Sequence, residues 1–210
     1  MTTDLYIATE DALSEAVADR LVLEVNHGLR VAVRIGRQGN GYLKKKFSSL
    51  AKTADSIPVL LLTDLDRIDC PSILLAHWRG EQIPSNGMLF RVAVREIEAW
   101  LLADREGFSN FCGIPLDKMP QHPELLDDPK LTLLSLVRRY GTQKIKAGLL
   151  PERGSSAKIG YAYNQILARF VRDTWSVILA SRNADSLARA CRRLQELSER
   201  QNDRSKAKSE

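Results

Sequence analysis

Cysteine is scarce: Cys70, Cys112 and Cys191 are three in number and far apart. With no CxxC or Cys/His spacing, they exclude a disulfide framework and a zinc site, and they place the chain in the reducing cytosol as an expectation. No apolar run approaches the eighteen residues of a membrane span, and the N-terminal stretch MTTDLYIATE carries acids where a signal peptide would carry Lys or Arg. Histidine occurs only at positions 27, 77 and 122, none spaced with a Ser or Cys to suggest a triad, so surface or structural roles are expected. Aromatic residues make up 6% of the chain, and Trp78, Trp100 and Trp175 lie within apolar helical stretches that assign them to the core. No internal repeat is evident, and no GK[ST] follows the glycines of GRQGNG, where Gly41 is succeeded by Tyr42 and Leu43, so a P-loop is excluded.

What is present is an ordinary globular composition, 44% apolar and 27% charged over 210 residues, long enough to bury a sizeable core. The segment DLYIATE reads as a strand and DALSEAVADRLVLEV as a helix. RVAVRIG and YLKKKFSSLAKT repeat the pair, as do IPVLLLTDLD with PSILLAHWRG, and MLFRVAV with REIEAWLLADREG. Four such alternations predict an α/β domain with a mainly parallel sheet flanked by helices over residues 1 to 110. The continuous apolar run before Asp64 serves as a central strand. FCGIPLDKMPQHPELLDDPK holds four prolines and reads as a linker, and the helical stripes that follow predict an α-helical C-terminal extension over 111 to 198. The tail 199 to 210 has nothing to bury and is expected to be disordered.

The chemistry lies in acids at strand ends. Glu10 follows the first strand, Asp64 and Asp66 the third, and Glu96 and Glu98 the fourth. In open parallel sheets the working crevice lies beyond the carboxyl ends of the strands. Like charges that close require a cation, and hard oxygen ligands suit Mg²⁺ or Mn²⁺. A DxD after a strand also serves as a plain turn or helix cap, and Asp69 is read as the cap of the helix that starts near Pro71. LLTDLDRID is similar to the first motif of haloacid dehalogenase-like phosphatases, but Arg67 and Ile68 stand where that family has Gly-Thr, and two strands precede the motif.

Six bases and no acid lie between Arg30 and Lys46. With a net charge of +5, they make Arg34, Arg37, Lys44, Lys45 and Lys46 candidates for nucleic-acid contact. Lys144, Lys146, Arg153 and Lys158 line a polar segment, and Lys158 is the candidate to lean over the carboxylates and neutralise transition-state charge.

A glutamate ending the first strand, in YIATED, and a DxD ending the third, in LLTDLD, resemble the Toprim pattern of topoisomerases, primases and related nucleases, although Asp11 stands where Gly commonly follows the Glu. VREIEAWLLAD at 94 to 104, GYLKKK and DDPK resemble a small uncharacterised Toprim-like family of bacterial phage-defence islands, encoded beside ABC/SMC-type ATPases. The resemblance implies a Mg²⁺-dependent Toprim-like nuclease acting on DNA or RNA as the effector of an ATPase-controlled antiviral system. In it Glu10, Asp64 and Asp66 are catalytic and hold one or two ions, with Glu96 or Glu98 completing the shell. The other expectation is a non-catalytic Toprim-like regulatory subunit that binds the ATPase and nucleic acid. A homo-oligomer would fit either.

Overall fold

The structure, a computed structural model, describes residues 2–25, 28–81 and 83–207, with side chains through residue 201. His27 lies outside the described residues. Four strands, β1 (Thr3–Thr9), β2 (Leu29–Gly36), β3 (Val59–Asp64) and β4 (Met88–Ala93), form one all-parallel sheet in the order β2-β1-β3-β4. Between them run α1 (Ala12–Val25), α2 (Asn40–Thr53) and α3 (Pro71–Arg79). The chain continues through α4 (Ile97–Ala103), α5 (Arg105–Cys112), α6 (Pro129–Tyr140), α7 (Gln143–Leu149), α8 (Tyr163–Asp173), α9 (Val177–Ala180) and α10 (Asp185–Ala207). The protein is therefore α/β, as the alternation predicts and as a Toprim-like class requires.

Alternation along each strand divides the core between the two faces of the sheet. Leu5 and Ile7 of β1, Leu60 and Leu62 of β3, and Leu89 and Ala93 of β4 pack with α1 and the helices from α4 onward. Ala8, Val59, Leu61, Phe90 and Val92 face the opposite way, onto Leu43, Phe47 and Leu50 of α2 and Leu74 and Trp78 of α3. Val59 through Thr63 are all buried, because β3 is covered on both faces. The residues beyond 110 add to the same cluster as the sheet: α1 packs along α8, and Trp175 donates its indole N–H to the Trp100 carbonyl at 3.1 Å.

Four local readings differ. The predicted helix REIEAWLLADREG divides at Asp104, whose buried carboxylate accepts from Gly107 N at 3.0 Å and from Ser176 N at 2.9 Å, starting α5 and fastening the approach to α9. The polar segment after Gly141 contains α7, capped by the Thr142 hydroxyl. The tail expected to be disordered from residue 199 is helical through Ala207, as a continuation of α10; residues 208–210 lie outside the described residues. Asp69 does not cap α3: Cys70 holds that position without a side-chain bond, and Pro71 fits because its missing N–H needs no partner there.

Among the described residues the three cysteines are free, and burial pushes the Cys112 thiol up to about 12 and Cys191 to about 11, which keeps both protonated and unreactive. Trp78, Trp100 and Trp175 are core residues as expected, while His77 and His122 are exposed. No helix among the described residues is long and apolar enough to cross a membrane.

Candidate metal centre

The strand order sets β1 beside β3 and β3 beside β4, so the residues leaving their carboxyl ends share one rim. Glu10 turns toward β3, and its Oε1 accepts from the backbone N of Asp64 at 3.1 Å, from Asn40 Nδ2 at 3.4 Å and, over a very short separation, from the Thr63 hydroxyl. Asn40 reaches this point because the turn GRQGNG folds back on β1: Arg37 N donates to the Thr9 carbonyl and Gly39 N to the Glu10 carbonyl. The approach at Gly36 is tight, for it has φ +124° and a Cβ there would lie 1.9 Å from the Thr9 carbonyl oxygen, so only glycine fits.

Asp64 Oδ1 accepts from Ile97 N at 2.9 Å, satisfying a first-turn amide of α4. Glu96 and Glu98 flank that residue. Glu96 Oε2 accepts from Lys130 N at 2.9 Å, at the start of α6. Glu98, only 2% exposed at its side chain, accepts from the Tyr163 hydroxyl at 2.9 Å and lies 3.2 Å from Lys130 Nζ, which is also 3.9 Å from Glu96. Asp66 is exposed, has φ +53°, and donates its backbone N–H to the Arg95 carbonyl at 2.8 Å. Among the described residues Arg37 and Arg95, just past β2 and β4, are the other non-glycine residues with left-handed φ, at +59° and +63°. Each such residue costs on the order of 1 kcal/mol, and their gathering at one edge marks the rim as the strained part of the fold.

The rim has an excess of negative charge. Burial holds the Asp64 carboxyl well above the usual carboxylate range, and Glu98, Glu10 and Asp66 add to the shift while Lys130 opposes it. Glu98 is raised by burial, partly offset by Lys130. Burial alone would lower Lys130, but Glu98 and Glu96 overcome it and hold the ammonium charged. Tyr163 is pushed up by burial and by the adjacent Glu98, which keeps it a donor. Replacing Tyr163 with Phe is expected to cost about 1–3 kcal/mol, because a buried carboxylate loses its neutral donor. Urea denaturation checks this, and an unchanged midpoint would mean that Tyr163 only fills space.

Glu10, Asp64, Asp66, Glu96 and Glu98 are thus brought to one edge. Lys158 is exposed in the segment between α7 and α8, whose far end is tied to α7 by Gly160 N to the Leu149 carbonyl and Ala162 N to the Gly148 carbonyl. Among the described residues no ion pair or hydrogen bond joins Lys158 to the carboxylates. The ion pairs to the rim carboxylates Glu96 and Glu98 come from Lys130. Arg34 and Arg37 lie at the β2 end but pair with Asp19 at 2.9 Å and Glu15 at 2.5 Å, and Arg30 pairs with Asp4 at 2.7 Å. Lys44, Lys45 and Lys46 are exposed on α2, with Lys46 Nζ 5.8 Å from the Tyr42 ring centre. A cleft of about 460 Å³ between α1 and α8 is lined by Glu15, Asp19, Arg20, Arg37 and Arg172, where acids and arginines offset one another.

The residues missed from sequence are Lys130, Tyr163, Asn40 and Thr63. Lys130 ends DDPK, and local rules account for its placement: Asp128 Oδ1 caps α6 through Leu131 N at 2.7 Å, and Pro129 occupies the first turn. Tyr163 looks like one more apolar helical position, and nothing local distinguishes it.

Hard carboxylate oxygens fit a divalent ion of the Mg²⁺ class. Among the described residues the hydrogen bonds to the Glu10 and Asp64 carboxylates fall on Oε1 and Oδ1, with none on Oε2 or Oδ2, and Glu98 Oε2 is buried without a hydrogen-bond partner. Among the described residues no three Asp, Glu, His or Cys side chains close into a ready ligand shell, so the carboxylates converge without meeting at a point. No protein-family model, curated protein or solved structure matches the chain.

Proposed function

We propose that the protein is a Mg²⁺- or Mn²⁺-dependent Toprim-like nuclease that hydrolyses phosphodiester bonds of DNA or RNA. One observation carries the reading: Glu10 bonds across to the end of β3 beside Asp64, whose carboxyl is driven up by burial and by three other acids. A rim so charged calls for a cation beyond Lys130. Glu10, Asp64 and Asp66 would hold it. The ion would supply positive charge to the phosphodiester oxygens and lower the pKa of a nearby water. The chain's own groups do the rest. Asn40 and the Thr63 hydroxyl fix the Glu10 carboxylate, Ile97 N fixes Asp64, and Lys130 neutralises the Glu96 and Glu98 side.

Lys44, Lys45 and Lys46 present an exposed basic face for the polyanion. Changing all three to Ala is expected to weaken binding uniformly across sequences and to reduce the salt slope by about one per lysine. Filter binding at several salt concentrations measures this; an unchanged slope would remove α2 from the interface.

The resemblance carried by EIEAWLLAD extends the proposal to the effector subunit of a cytoplasmic antiviral defence complex with an ABC/SMC-type ATPase. A second reading, a non-catalytic subunit that binds the ATPase and nucleic acid, is favoured by one observation: the chain's own Lys130 already neutralises Glu96 and Glu98. The test incubates single- and double-stranded DNA and transfer RNA with the protein and Mg²⁺ or Mn²⁺, alone and with the ATPase, against an Asp64→Asn control. Cleavage that needs both metal and Asp64 supports the nuclease. Altered ATPase assembly without cleavage under any condition supports the second reading.

A further inference from the structure

The rim has two unlike halves. At β1 and β3, among the described residues, Glu10 Oε2 and Asp64 Oδ2 accept no hydrogen bond, beside exposed Asp66. At α4, Glu96 and Glu98 both converge on one ammonium, Lys130 Nζ, at 3.9 Å and 3.2 Å. We propose that Lys130 is the built-in second cation of the rim, so that the site accepts a single divalent ion, on Glu10, Asp64 and Asp66, rather than two. This rests on the metal-dependent reading above and specifies its stoichiometry.

Two-ion phosphodiesterase sites set their metals roughly 4 Å apart. On the α4 side of the rim, the carboxylates that would complete the shell of a second ion are Glu96 and Glu98. Their shared neighbour is a compact point charge with three donors, suited to bridge two carboxylates. A divalent ion brought to the same oxygens would meet the ammonium at close range, and in a partly buried setting that repulsion is weakly screened.

Lys130 is also held in place. Asp128 caps its helix, Pro129 precedes it, and its own backbone N–H donates to Glu96 Oε2 at 2.9 Å. The Tyr163 hydroxyl donates to the same Glu98 oxygen, Oε1, at 2.9 Å. The remaining oxygen, Glu98 Oε2, is buried and unpartnered, so this half still has an acceptor that a second ion would use once the ammonium is gone.

The experiment counts Mn²⁺ bound to the full-length, metal-stripped protein by titration calorimetry and by electron paramagnetic resonance of the free ion. Wild type is expected to bind one ion, Lys130→Met two, and Lys130→Arg one. Circular dichroism verifies folding, and Lys130→Gln replaces Lys130→Met if that variant does not fold. Two ions on wild type, or one on both wild type and the neutral variants, overturn the role of Lys130 while leaving the metal site standing. No ion on wild type but one on Lys130→Met overturns the single-ion stoichiometry together with metal dependence of the natural chain. No ion on any variant overturns both.

Discussion

Replacing Asp64 with Asn is expected to lower metal-dependent cleavage at least ~100-fold and to make the metal-free protein more stable by about 1–2 kcal/mol at pH 8. Both effects come from one carboxyl. Asn keeps an oxygen for Ile97 N, so the start of α4 is preserved, but it removes a charge that faces Glu98, Glu10 and Asp66. The sign of the pH dependence follows. The Asp64 carboxyl titrates well above its ordinary value near 4 when folded, so the folded state binds more protons than the unfolded one between those two values. Wild-type stability without metal therefore falls as pH rises from about 4 through the folded value, and the Asn variant loses that part of the fall. Denaturation in EDTA at pH 5 and pH 8 measures it. Equal pH profiles for the two proteins would mean that the rim is not starved of positive charge, and undiminished cleavage would remove Asp64 from the chemistry.

Trp100→Ala is expected to destabilise the protein by about 3–5 kcal/mol, a large part of the stability of any domain this size. The indole is fully buried in α4 and donates to the Ser186 hydroxyl at 2.8 Å. Ser186 sits in the first turn of α10, where its hydroxyl also accepts from Val94 N at 3.2 Å and pairs with Glu124. Truncation leaves a cavity at the junction of β4, α4 and α10 and removes a donor from that group. Urea denaturation followed by circular dichroism measures the loss; a cost under about 1 kcal/mol would show that the helices collapse into the space.

The sheet was legible because its signals are local. Alternation in RVAVRIG and the apolar run before Asp64 mark strands, and β1, β3 and β4 carry acids at the ends where a parallel order brings them together. Glu10 beside Asp64 follows from topology alone. The break at Asp104 was not legible, since EIEAWLLADREG keeps helical spacing across it and the cause is a bond to Ser176, seventy-two residues on. Lys130 was hidden for the same reason: its cap is written in DDPK, but its partners Glu96 and Glu98 are on another helix. Lys158 was chosen because a polar segment looks free to move over a site; α7 and the tie at Gly160, both set by contacts within that segment, give it more order than its composition suggests. Arg34 and Arg37 looked unpaired because their acids lie on α1, fifteen and twenty-two residues earlier in the chain.

The core that joins sheet and later helices also settles how far the protein can be divided. Cut after residue 110, the leading piece would carry Leu13, Val17, Leu21 and Trp100 with their covering helices gone, and Glu98 without Tyr163 or Lys130. The trailing piece would keep helices that have lost the surface they wrap. Neither half is a module to be borrowed by another protein; whatever the acidic edge does, it does as a property of the uninterrupted polypeptide.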